Sequence, residues 1–206
     1  MNSDLMPKVL PEYKNIVRMK IIQAALKVFS KKGYHNSKMD EIAEEAALSK
    51  PTLYKYVQSK EDILKTISES SIKSTKQSLS IDDQDTKEIL DKNYNMIVES
   101  KHILHLGYEI TSLSSHNKNI QKLNREVYKA NKEALITLLQ NQQNKGMIKK
   151  EIDTKLAAQL ITAIITDITS QLIIGCDESE IKEYWNRSIT AILGDYTKFN
   201  KKIVKN

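Results

Sequence analysis

An all-α protein is what this sequence predicts, and three observations carry that expectation. Helix breakers are scarce, with five Gly and three Pro in 206 residues. No run alternates Val or aromatic residues with polar ones, as a half-buried strand would. Apolar residues instead recur at three- and four-residue spacing along most of the chain. The expected arrangement is a set of short helices over residues 1–60 and longer ones over 61–206.

Residues 1 to about 12 carry Pro7 and Pro11 and no period, and read as an arm. From Lys14 to Lys32, Ile22, Ala25, Leu26 and Phe29 fall at i, i+3, i+4 and i+7 and define one buried face. Gly33 closes that helix. Ser37, with Asp40 three residues on, makes a capping box ahead of Ile42, Ala43 and Ala46. Ser49 opens a second helix, with Pro51 in its first turn, where a missing N–H is harmless. Ser59, followed by Asp62, opens a third.

The helix from Lys60 runs to about Leu79, with Ile63, Leu64 and Ile67 facing inward before serines thin the apolar face. An acidic, turn-rich loop spans Ile81 to Thr86. Five more helices are expected at about 86–100, 102–114, 117–144, 154–174 and 178–199. In the last, Ile181, Tyr184, Trp185, Ser188, Ile189, Ile192, Leu193 and Tyr196 form one stripe. The helix before it carries Leu156, Leu160, Ile161, Ile164, Ile165, Ile168 and Leu172, an apolar face too wide for one-sided packing. Such a pair invites a partner from outside the chain; an intramolecular core is the alternative.

Charge is uneven. Residues 1–60 hold 11 Lys/Arg against 6 Asp/Glu, whereas residues 61–206 hold 21 against 20. A basic first third on a near-neutral remainder suits a nucleic-acid module joined to something else. The short helix after Ser49 carries Lys50, Thr52, Tyr54, Lys55 and Tyr56, poor material for a core and good material for a major groove.

The stretch GYHNSKMDEIAEEAALSKPTLYKYVQSKEDIL resembles the DNA-binding signature of the TetR family of transcriptional regulators, the match covering roughly residues 14 to 65. Many members have Gly at the Ala47 position, Phe at the Val57 position and Gly at the Pro51 position, although the tetracycline repressor itself has Pro-Thr-Leu-Tyr there. The resemblance implies an N-terminal three-helix helix-turn-helix domain (1–60), followed by a helical ligand-binding and dimerisation domain (61–206). The expected DNA-binding residues are Ser37, Lys38, Lys50, Pro51, Thr52, Tyr54, Lys55, Tyr56 and Lys60. Lys60, Ser37 and Lys38 are expected on phosphates, and Lys50, Thr52 and Lys55 on base edges. Lys8, in the arm, is a further candidate for a DNA contact. Leu53 and Val57 are expected in the core.

The resemblance also implies a homodimer on double-stranded operator DNA. Its interface is expected at Ile161, Ile165, Ile168, Leu172, Ile181, Trp185, Ile189 and Ile192 in a four-helix bundle. A small-molecule effector is expected among the middle helices, with Tyr94, Met96, His102, His105, Tyr108, Tyr128 and Thr166 as candidate contacts. The implied function is a regulator, read as a repressor that its ligand releases.

Other chemistry is thinly represented. Glu99, His102, His105 and Glu109 could converge on one helix face as metal ligands. A dinuclear catalyst needs a second Glu-x-x-His pair, which neither His35 nor His116 makes. No Gly-rich phosphate loop, Ser/His/Asp elbow or His-Glu-x-x-His appears, so neither enzyme nor cofactor nor metal is expected. One cysteine, Cys176, excludes an internal disulfide. No signal peptide is read at Met1–Leu10, and Leu156–Ile174 is broken by Gln159, Asp167 and Gln171, so a cytoplasmic protein without a membrane span is expected. A helical ligand-binding protein without DNA, and a regulator without an inducer, are the competing readings.

Overall fold

The structure, a computed structural model, describes residues 11–80 and 85–194. Its helices are α1 (Pro11–Asn36), α2 (Met39–Glu45), α3 (Lys50–Tyr56), α4 (Lys60–Leu79), α5 (Thr86–Glu99), a 3-10 turn at Lys101–Ile103, α6 (Leu104–Leu113), α7 (Lys118–Asn144), α8 (Thr154–Ile173) and α9 (Glu178–Leu193). No strand occurs among the described residues. The all-α expectation holds. The arm contact proposed for Lys8, most of the acidic loop and the end of the last stripe at Tyr196 lie outside the described residues.

Local chemistry explains most helix starts. Ser49 accepts the Thr52 N–H at 3.2 Å, and Ser59 accepts that of Asp62 at 3.2 Å, while the Asp62 carboxylate takes the Gln58 N–H at 2.9 Å. Asp85, Asn117, Asp153 and Asp177 cap α5, α7, α8 and α9 through their side-chain oxygens. The capping box expected from Ser37 and Asp40 is shifted by one residue. Lys38 occupies the cap position, and Glu41 accepts its N–H at 3.0 Å. The helix expected from 102 is broken into the 3-10 turn and α6 at Ile103 (φ −117°, ψ −1°).

The chain divides into two compact units between Ile67 and Ser68, inside α4 rather than after residue 60. The first has a core of Ile21, Ala25, Phe29, Ile42, Leu53 and Ile63, each at 0–1% exposure. Phe29 meets Tyr34 edge to face at 5.3 Å, and Val57 is buried beside Leu53 as expected. Leu26 is only half-buried; Ile21 and Val28 take its place on the inner face of α1. Fully burying apolar side chains of the Ile, Leu or Phe size stabilises by about 1.5–3 kcal/mol each, which holds α2 and α3, seven-residue helices that could not persist alone.

In the second unit the core comes from α5, α7, α8 and α9, centred on Ile89, Leu139, Ala158, Ile161, Ile168 and Trp185. Trp185 stacks on Tyr94 with ring centroids 5.6 Å apart. Its indole N–H donates to Asp91 at 3.3 Å. Lys182 reaches the same carboxylate at 2.9 Å and lies 4.2 Å from the Tyr94 ring centre. Lys87 completes the cluster on Asp91.

That packing removes five of the eight residues from the expected dimer stripe. Ile161, Ile168, Ile181, Trp185 and Ile189 are at most 2% exposed within a single chain, so they form its own core. Ile165, Leu172 and Ile192 are half-buried against the same core. The opposite face of α8 carries Leu156, Leu160, Ala163, Asp167 and Ile174 at three-, four- and seven-residue spacing, and all five are exposed. Ile174 is 75% and Leu156 56% exposed. α8 is long and apolar enough to cross a membrane, with a mean hydropathy of 1.4 over its most apolar window. Its inner face is instead committed to the helical core, through Ala157, Ala158, Ile161 and Ile168.

Candidate nucleic-acid interface and internal cavity

The first unit presents a helix, a tight turn and a second helix. α2 ends in paired backbone bonds, Ala47 N–H to the Glu44 carbonyl and Leu48 N–H to the Ala43 carbonyl, both 2.9 Å. This is the Schellman closure, and it places Ala47 at φ 47°, the only positive φ of a non-glycine residue among those described. α3 follows, anchored by Leu53 at 0% and Val57 at 2% exposure. Lys50, Pro51, Tyr54 and Lys55 point outward, and Thr52 and Tyr56 are half-buried. The lysine- and tyrosine-bearing face expected from the sequence is therefore open to solvent.

The individual side chains differ from expectation in instructive ways. Ser37 is 3% exposed, and its hydroxyl donates to the Gly33 carbonyl at 2.6 Å. It braces the end of α1 and offers no hydroxyl to a phosphate, which corrects its expected role. Lys38 is exposed at the mouth of α2. Lys50 pairs with Asp40 at 2.7 Å, and this hydrogen-bonded carboxylate raises the lysine pKa above its ordinary value. The Thr52 hydroxyl is 2.7 Å from that of Ser49. Lys60 donates to the carbonyls of Tyr34 and His35 at 2.7 and 2.9 Å. Lys55 is exposed and makes no hydrogen bond or ion pair with the described residues. Asp40, expected as a capping partner of Ser37, instead fixes Lys50 across the turn; ten residues separate the pair and no local pattern joins them.

The second unit contains a cavity of about 350 Å³ bounded by α4, α5, α6, α7, α8 and α9. Leu79, Leu90, Met96, Leu135, Ile161 and Trp185 supply much of its apolar wall. Its polar points are Thr75, Asn93, Ser100, Asn131 and Thr162, and none of the lining side chains is ionisable. The size and mixture match a small-molecule site.

Of the candidate effector contacts, Met96 lines this cavity. Tyr94, His102, His105, Tyr108, Tyr128 and Thr166 do not. Tyr94 is spent against Trp185 and Lys182 at 4% exposure. The other five are exposed. The Tyr108 hydroxyl donates to the Thr166 carbonyl at 3.0 Å, and the Tyr128 hydroxyl accepts from Gln159 at 3.1 Å. Residue type alone suggests those side chains, whereas cavity lining is decided by helix face. A usable signal was present: Asn131 lies four residues before Leu135, and Asn93 four after Ile89, so each puts an amide on an apolar stripe. No three His, Cys, Asp or Glu side chains among the described residues converge on a metal position. The 3-10 turn at Lys101–Ile103 breaks the helical register that would have aligned Glu99 with His102 and His105.

Comparison with known proteins bears on both units. Residues 21–67 match the family model for bacterial regulatory proteins of the tetR family. The chain is 32% identical over 158 residues to the fatty acid metabolism regulator protein of Bacillus subtilis (strain 168), covering 72% of this chain and 79% of that one. Among solved structures, Salmonella enterica GusR superposes with a TM-score of 0.73 at 20% identity, over 90% of this chain and 98% of the other. The transcriptional regulator FadR from Bacillus subtilis, in complex with stearoyl-CoA, superposes with a TM-score of 0.67 at 23% identity, over 85% and 97%.

Proposed function

The chain belongs to the TetR family of bacterial regulatory proteins, and from that premise we propose that it works as a cytoplasmic homodimer that holds operator DNA until a small molecule fills the cavity of its second unit. Members of this family are DNA-binding transcriptional regulators and not enzymes. The observation that carries the DNA reading is the outward face of α3, where Lys50, Tyr54 and Lys55 are exposed while Leu53 and Val57 anchor the helix. Tyr54, Tyr56, Lys38 and Lys60 belong to the phosphate-facing set, and Lys55, Lys50 and Thr52 to the base-facing set, with Pro51 shaping the helix entry. A lone recognition helix reads only a few base pairs. Two copies on a two-fold axis read half-sites about 34–36 Å apart or a multiple of that.

The face of α8 that carries Leu156, Leu160, Ala163 and Ile174, with the neighbouring exposed Tyr184 of α9, supports self-association there. Release by an effector requires the ligand to favour the dimer geometry that cannot bind DNA; equal affinity for both geometries would shift nothing. The cavity supplies the place for that differential binding. A mobility-shift series against duplexes from around its own gene, at several salt concentrations, tests the reading. Tight binding to one duplex with a steep salt dependence is expected. Binding no tighter than to scrambled DNA would overturn it.

A further inference from the structure

We infer that the cavity of the second unit takes an uncharged, mainly apolar molecule carrying one hydrogen-bond donor, a hydroxyl or an amide N–H, and that Asn131 is the residue that receives it. The inference rests on the effector reading above and names its ligand class. Two observations carry it. The first is the wall, in which Leu79, Leu90, Leu135, Ile161 and Trp185 dominate and no ionisable side chain takes part. A carboxylate or phosphate held against that wall would give up water and find no cation in the lining, so an anionic group is disfavoured there. The second is Asn131. It lines the cavity, yet its Oδ1 is sealed from solvent and meets no donor among the described residues. Buried side-chain acceptors are seldom left so, because the lost hydration is not returned.

Two of the other polar side chains, Asn93 and Thr162, are engaged. Asn93 donates its amide to the Ile89 carbonyl at 2.8 Å and lies 3.4 Å from the Ser78 hydroxyl. Thr162 donates to the Ala158 carbonyl at 2.8 Å. Asn131 is the amide with unmet capacity. The torsion that turns an asparagine amide is broad and soft, so Oδ1 can swing from its covered position to the cavity side when a donor arrives there. The apolar body of the ligand then fills the space between α5, α7 and α8, and its donor ends the deficit at Asn131. An apolar molecule without a donor gains the burial but leaves the deficit.

Matched alkyl probes test this by calorimetry or thermal shift on the full chain. 1-Decanol, decyl methyl ether and decanoate share the chain and differ only at the head. The alcohol should bind about tenfold more tightly than the ether, the usual consequence of one satisfied buried hydrogen bond. Decanoate should bind more weakly than the alcohol. In Asn131→Leu the preference for alcohol over ether should vanish while both still bind. Because the comparison within the unaltered protein needs no variant, misfolding of Asn131→Leu cannot rescue or hide the result. Ether or decanoate binding as tightly as the alcohol, or no binding by any of the three, overturns the inference. Operator release is read separately. An alcohol preference at Asn131 without release of DNA would leave this assignment standing and defeat the effector role of the cavity.

Discussion

The ammonium of Lys60 lies 2.7 Å from the backbone carbonyl oxygen of Tyr34 and 4.8 Å from the centre of the same residue's ring. It also takes the His35 carbonyl at 2.9 Å. One lysine at the start of α4 therefore holds the segment that follows the Gly33 kink of α1. A position expected to grip a phosphate has a structural task inside its own unit. Lys60→Ala should thus lower stability by about 1–2 kcal/mol, a drop of several degrees in thermal unfolding. It should also weaken DNA binding evenly across sequences. The salt series separates the two roles: if Lys60 also meets a phosphate, the slope of log affinity against log salt falls by about one. An unchanged slope assigns the whole loss to the α1 brace.

Lys55 is the complementary case. It is exposed near the end of α3 and has no partner among the described residues, whereas Lys50 is already paired with Asp40. Lys55→Ala should change which base is preferred at one position, with about tenfold less discrimination there, and leave the unfolding temperature alone. Selection of bound duplexes from a randomised pool would measure it. Weakening that is uniform over the pool would remove Lys55 from the base-reading set.

Ala47 closes α2 at φ 47°, a conformation that suits glycine and strains a residue with a Cβ. Ala47→Gly relieves that strain and loses some entropy of the unfolded chain, and the first effect is the larger. A gain of about 0.5–1 kcal/mol, or roughly 2–3 °C in unfolding temperature, is expected. Unchanged or lowered stability would mean that the turn accommodates alanine freely.

The Asp91 carboxylate makes a pH prediction. Burial pushes its pKa up, but the hydrogen bonds and charges of Lys87 and Lys182 outweigh burial and hold it below the ordinary aspartate value. A group whose folded pKa is depressed contributes stability above its unfolded pKa and loses it as pH falls through the folded one. The difference in stability between the unaltered protein and Asp91→Asn should therefore be present at pH 7, at about 1–2 kcal/mol, and shrink below about pH 4. Denaturant melts of both proteins at pH 7, 5 and 3.5 give the difference directly. A gap that is constant over that range would assign the effect to packing rather than charge.

How much of this was legible in the sequence depended on distance along the chain. Ser49 and Ser59 announce their helices because a cap bond spans three residues, and Leu53 and Val57 announce the anchoring face of α3 by their spacing. Ser37 misled because Gly33 lies four residues back, and its carbonyl captured the hydroxyl instead. Periodicity correctly marked Ile161, Ile168 and Trp185 as buried, but a buried stripe does not say what buries it. The cavity was illegible for the same reason. Thr75, Asn93, Asn131 and Thr162 come from four different helices, and nothing local joins them.

The exposed face of α8 yields the sharpest contrast between two substitutions. Leu160 is 43% exposed on the face that also holds Leu156, Ala163 and Ile174, whereas Trp185 is 2% exposed and packs on Tyr94. Leu160→Glu puts a charge where a partner's apolar face would close. Because the site is open in the single chain, the fold should survive with near-native helicity. Trp185→Ala removes a large buried ring and leaves a void, at a cost of about 3–5 kcal/mol. Light scattering coupled to size exclusion, with circular dichroism on the same fractions, distinguishes them. Leu160→Glu should elute as a folded monomer that no longer retards a two-half-site duplex, and Trp185→Ala should lose cooperativity of unfolding before it loses association. A folded dimer of Leu160→Glu would place self-association on another surface, and a folded monomer of Trp185→Ala would return Trp185 to the interface.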